Sequence, residues 1–135
     1  MSQSASLDLQ GAINTVLRSN PTVNQRVGQR IYDRVPPNAV FPYISLGLAE
    51  ELEDEADCID GLEIFLDIDV WSQAQGRVEA SNIAGTIRKT LRNAHLVLPD
   101  HKFVELHFRD MRVLRDRDLI TTHIVLTWRA WVEAL

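Results

Sequence analysis

Gly61-Leu62-Glu63-Ile64-Phe65-Leu66-Asp67-Ile68-Asp69-Val70-Trp71 is the stretch whose reading decides the fold. Ile64, Leu66, Ile68 and Val70 alternate with Glu63, Asp67 and Asp69. Successive side chains of a strand point to opposite faces, so the aliphatic residues share one face and the acids the other. Ser72-Gln73-Ala74-Gln75-Gly76 follows as a turn. From Arg77 to Asn93 the chain then places Ala80, Ile83, Ala84, Ile87, Leu91 and Ala94 at spacings of three and four, the stripe of an amphipathic helix. A one-faced strand feeding a one-striped helix makes a sheet-on-helix unit, and the rest of the chain supplies its neighbours.

Upstream, Ser6 is the expected N-cap of a helix running to Ser19, with Asp8 near its positive end and Leu9, Ala12, Ile13, Val16 and Leu17 along one face. Asn20-Pro21 ends it, because the residue before proline avoids the helical region. Pro21 opens a second short turn carrying Val23 and Val27. Ile31-Tyr32 suits a short strand, Pro36-Pro37 an extended segment, and Pro42 to Leu48 a strand opened by proline. Glu50, Glu51, Glu53, Asp54, Glu55, Asp57 and Asp60 then crowd into eleven residues. Such a run cannot pack, and reads either as a loop or as the tip of an extended hairpin.

Downstream, Phe103 to Leu114 alternates Val104, Leu106 and Phe108 with Glu105, His107 and Arg109, and a phase shift near Asp110-Met111 predicts a bulge. Arg115 to Asp118 is a charged turn. Leu119 to Glu133 is the last strand, with Ile120, Thr122, Ile124, Leu126, Trp128 and Ala130 on one face and Thr121, His123, Val125, Thr127, Arg129 and Trp131 on the other. The expected fold is α+β: a largely antiparallel four- to five-stranded sheet with two helices packed on one face, one domain spanning residues 1–135.

The 135 residues suffice for a sizeable core, and a net charge of −5 leaves no global basic field for gripping nucleic acid. A single cysteine, Cys58, places no demand on an oxidising compartment. Met-Ser-Gln-Ser-Ala-Ser lacks the charged and apolar regions of a signal peptide, and no apolar run approaches the ~20 residues that span a bilayer. These features predict a protein of the cytoplasm, or one assembled there.

Catalytic signatures are scarce. The sequence holds no G-x-S-x-G elbow, no P-loop and no G-x-G-x-x-G. His95, His101, His107 and His123 lack metal-helix spacing, although His107 and His123 could meet across a hairpin, as a polar pair or as ligands. Glu63, Asp67 and Asp69 fit a solvated strand face, and they also fit a carboxylate hydrolase or a small ligand-binding α+β domain. The acids at 50–60 lack the register of a calcium loop. Phase puts Trp128 in the core and Trp71 and Trp131 on polar faces, where each covers either a long side chain of its own subunit or a neighbouring subunit. Arg77, Arg88 and Arg92 flank the apolar stripe of the second long helix. That basic edge is either solvated or meets the acids of a neighbouring copy, Glu53, Asp54 and Glu55 among them, in a head-to-tail contact that closes into a ring. An RNA-binding sheet is disfavoured, since its exposed face would need arginines and an aromatic motif where this one has acids.

The order of several short motifs resembles one family. Gln29-Arg30-Ile31-Tyr32-Asp33-Arg34-Val35-Pro36-Pro37 precedes Phe41-Pro42-Tyr43-Ile44; Val70-Trp71-Ser72 leads to Gly76-Arg77-Val78-Glu79-Ala80 at a helix start, and Leu114-Arg115-Asp116 forms a late turn. This arrangement, from Leu9 to Glu133, resembles the tail-completion proteins of long-tailed phages, prophages and gene-transfer agents, also called tail terminator or tail-to-head joining proteins. The resemblance implies a small α+β structural subunit that forms a homo-oligomeric ring, a hexamer, on the tail tube. The ring stops tube polymerisation and presents a surface to the head-completion or neck protein, while DNA passes through its lumen without sequence-specific binding. It implies a place at the tail end or neck of a virion, assembly in the bacterial cytoplasm, and no membrane contact. It brings no catalytic residues, cofactor or metal. If the polar sheet face lines the lumen, Asp67 and Asp69 would repel DNA phosphates during transit.

Overall fold

Gly61–Ser72 is a strand, and Ile64, Leu66, Ile68 and Val70 are buried along one side of it. The computed structural model describes residues 4–54 and 61–135, apart from the side chains of Leu48 and Asp54. In chain order its elements are α1 (Ala5–Ser19), α2 (Pro21–Val27), β1 (Ile31–Tyr32), β2 (Tyr43–Asp54), β3 (Gly61–Ser72), α3 (Val78–Arg92), β4 (His101–Arg115) and β5 (Thr122–Ala134). The sheet runs β1-β2-β3-β5-β4. β1 lies parallel to β2, and every other neighbouring pair is antiparallel. The fold is α+β, as the periodicities predict.

All three helices pack on the aliphatic side. Leu9, Ile13 and Leu17 of α1, Val23 and Val27 of α2, and Ile83, Ala84, Ile87 and Leu91 of α3 share one core with Ile44, Ile68, Ile124, Leu126 and Trp128 of the sheet. The sequence predicts two helices, with 21–27 only a turn; that turn is a third helix. Asn20 stands in extended conformation, and its side chain accepts hydrogen bonds from Thr22 N and Val23 N at 2.9 and 3.0 Å. Pro21 occupies the first helical turn, and Gly28 closes the helix at φ 61°, a left-handed conformation that glycine adopts without strain. The N-cap of α1 is Ser4 rather than Ser6, its hydroxyl accepting from Leu7 N. The earlier start buries Ala5 one turn before Leu9.

The acidic run is strand at least as far as Asp54. Glu50, Glu51, Leu52, Glu53 and Asp54 pair in turn with Phe65, Ile64, Glu63, Leu62 and Gly61. Backbone hydrogen bonding to β3 holds the segment while Glu50 and Glu53 stand in solvent and Glu51 Oε1 accepts from Ser6 N at 2.6 Å, so 50–54 belongs to a hairpin arm rather than to a loop. Glu55, Asp57 and Asp60 lie outside the described residues. The ladder shifts between Leu46 and Ala49. At Gly47 a Cβ would come within 3.2 Å of Asp67 O and 2.8 Å of Asp69 Oδ2, so a side chain there would crowd the β3 backbone and push the Asp69 carboxylate aside.

Two further expectations are corrected on the β4–β5 hairpin. The shift predicted near Asp110 is present, between Phe108 and Asp110, but a second one lies between Phe103 and Glu105. It turns Val104 out to solvent, while Phe103, Leu106 and Phe108 pack on the core. The last strand starts at Thr122, so Leu119 and Ile120 are exposed turn residues. The Asp118 carboxylate accepts from Ile120 N, Thr121 N and Thr121 Oγ1, which fixes 118–121 as a turn and delays the strand.

Candidate functional site

With the helices on one side, the other face of the sheet is left to its own side chains. Three cross-strand groups occupy it. At the end where β1 pairs, Tyr43, Trp71, His123 and Leu114 lie abreast on β2, β3, β5 and β4. Trp71 stacks on His123 with centroids 3.7 Å apart and planes 10° from parallel. On its other side it faces Tyr43 at 6.1 Å, and its Nε1 donates to Ser45 Oγ at 3.0 Å. Phe41 and Tyr32 complete the aromatic cluster around Tyr43. Burial, then the neighbouring Tyr32, then Asp116 push the Tyr43 phenol above its ordinary pKa.

The acids hold the middle. Asp69 Oδ1 lies 3.3 Å from His123 Nε2, a buried nitrogen that no hydrogen bond satisfies. Asp67 Oδ1 accepts from Thr127 Oγ1 at 3.0 Å. At the far end Glu63 pairs with Arg129, whose guanidinium lies 4.1 Å over the Trp131 ring. His107 meets the same ring edge-on at 5.5 Å. Each carboxylate of β3 thus answers to its own partner on β5, one per level, instead of converging with the other two. His107 stands opposite Arg129 and His123 opposite Leu114, so the two histidines do not meet across the hairpin. Trp71 and Trp131 share this face at opposite ends, and each covers a side chain of its own subunit.

The predicted basic residues sit on the helix side and play unequal parts. Arg77 and Arg92 are exposed at the two ends of α3. Arg88 is half-buried with its guanidinium 4.0 Å over Phe108, which in turn meets Trp128 edge-on at 5.3 Å. It braces α3 against β4. Glu53 is exposed near the end of β2, Asp54 is its last residue, and Glu55 lies outside the described residues. A groove of 830 Å³ separates α1 and α2 from α3, with Thr15, Arg26, Gly85, Lys89 and His95 in its walls.

Sequence reasoning missed the crowding at Gly47, the Trp71–His123 stack and the edge position of β4, whose strand it did predict from Phe103 to Leu114. Phase placed Trp71 and His123 on polar faces, but only the register of β3 with β5 puts the rings in contact. No helix of the described residues is long and apolar enough to cross a membrane.

Over residues 11–133 the chain matches the family of tail completion protein gp17. The chain belongs to that family. Membership confirms the resemblance drawn from the Gln29–Pro37, Val70–Ser72 and Gly76–Ala80 motifs, and makes the protein a structural component of a particle tail. Among solved structures, a chain from the virion of a native gene transfer agent particle is similar at 29% identity and a TM-score of 0.89, covering 98% of this chain and 100% of that one. The gp17 protein of bacteriophage SPP1 shares the fold at a TM-score of 0.63 and 22% identity, covering 95% of this chain and 91% of that one. No curated protein matches the chain.

Proposed function

We propose that this tail-completion chain is a terminator: copies close into a hexameric ring on the end of the tail tube, halt its growth, and offer the ring's far surface to the head-completion or neck protein. The similarity to a chain of a gene transfer agent virion across 98% of the residues carries this reading. The molecule's own surfaces support it. Acids line one arm of the β2–β3 hairpin, arginines mark the edge strand and the ends of α3, and opposite charge on separate surfaces suits a head-to-tail contact. The sheet face bearing Asp67 and Asp69 is proposed as the channel lining, past which DNA slides without being held. Arg77, Arg92 and the acids at 53–55 are proposed to meet neighbouring copies or the tube; Trp71 and Trp131, at the two ends of the lining face, are proposed to meet them only at the rims of the channel. The test is to produce particles without the chain. Tubes are expected to overgrow and to remain unjoined to heads in electron micrographs. Tails of normal length attached to heads would overturn the proposal.

A further inference from the structure

β4 is the last strand of the sheet, and from Asp110 to Arg115 its side chains are exposed on both faces. Met111, Val113 and Leu114 are 40%, 37% and 43% exposed there. A long edge strand with apolar side chains is a template for pairing with another chain. Arg112 and Arg115 stand exposed on the same segment.

The opposite edge complements it. β1 pairs only with Ile44 and Ser45, so from Leu46 to Asp54 the outer edge of β2 is open among the described residues. Glu50, Glu51 and Glu53 are exposed along it. Beside that edge lies a groove of 380 Å³ whose walls include Leu7, Gln10, Ile31 and Leu46, and Leu7 is 50% exposed.

We propose that β4 of one copy pairs with the free half of β2 of the next, so that a single sheet runs unbroken around the ring. This rests on the ring proposed above. Strand direction agrees with it: β2, β3, β5 and β4 alternate in sense. Rotation about a ring axis preserves each strand's sense along that axis, so β4 meets the next β2 antiparallel and the alternation continues. Leu114 is level with Tyr43, the end of β2 beside β1. Joining the exposed half of β4 to the free half of β2 therefore offsets each copy along its neighbour, the stagger a closed sheet needs. Met111 and Val113, on the helix side, enter the groove beside Leu7, and Arg112 and Arg115 face the acids of β2.

Full-length Arg112→Glu/Arg115→Glu and Glu50→Lys/Glu53→Lys variants, each supplied as the only copy in particle-producing cells, test the contact. Each alone is expected to cut the yield of intact particles about tenfold or more. Supplied together they are expected to restore it to within about threefold, since every junction between unlike copies then joins opposite charges. Single variants that assemble at wild-type yield overturn the pairing, as do single variants that fail and are not restored together. Amide hydrogen exchange of the wild-type chain gives an answer independent of any variant's folding: residues 110–115 should be protected in particles and open in the free chain, and equal exchange overturns the pairing. The ring stands or falls separately on the number of copies per tail, counted by quantitative mass spectrometry. A single copy sinks the ring, whereas several copies with unprotected 110–115 sink only the edge pairing.

Discussion

Asp8 sits in the first turn of α1 with its carboxylate buried, accepting from Asp100 N at 3.0 Å and lying 2.9 Å from His101 Nδ1. It ties the start of α1 to the start of β4. Truncation by Asp8→Ala removes the acceptor of the half-buried Asp100 N–H and the partner of His101 Nδ1, and is expected to cost about 1–3 kcal/mol, read as a lowered unfolding midpoint. A loss below about 0.5 kcal/mol would mean that water replaces the carboxylate without penalty. The sequence showed an acid at a helix N-terminus, a local signal. Its partners lie more than ninety residues away, and no spacing rule connects them. Gly47 is similar: it reads as a weak point in a strand, and only the approach of Asp67 and Asp69 explains it.

Thr121's hydroxyl first, then the amides of Thr121 and Ile120, hold the Asp118 carboxyl below its ordinary value of 3.8. A folded pKa below the unfolded one means that the turn's contribution is present above 3.8 and is lost as pH falls through the folded value. Unfolding midpoints of wild type and Asp118→Asn, compared from neutral pH downwards, should therefore converge in acid; a gap that stays constant would remove Asp118 from the turn's stability. In α3 the apolar stripe was fully legible, because a period near 3.6 is written in consecutive residues. The role of Arg88 was not. From the helix alone it belongs with Arg77 and Arg92, and only the packing of β4 beneath it brings Phe108 under its guanidinium.

For the whole molecule, the proposed ring raises the question of which face would line the channel. Asp67→Asn/Asp69→Asn removes two charges from the proposed lining while leaving the aliphatic core intact. Particles should form at wild-type yield and release DNA more slowly, as measured by single-particle ejection, because phosphate repulsion falls. Wild-type ejection kinetics would move the lumen to another surface. Thr127 and His123 sit against these acids, so part of their charge is screened within the subunit.

What the sequence determined by itself was everything expressed in near neighbours. Alternation along 61–71 and 122–130 fixed which side of the sheet is buried, and the stripe at 80–91 fixed which side of α3 covers it. Asn20-Pro21 fixed where α1 ends, and the order of motifs pointed to the tail-completion family. Only the tertiary structure decided the strand order, the shifts at Gly47 and Val104, the partner of each carboxylate, and which strand is left at the edge. The physical reason is range. Periodicity and capping act over a few residues, whereas register and edge position depend on which distant segments share backbone hydrogen bonds. A one-residue slip of register turns every side chain of a strand to the other face.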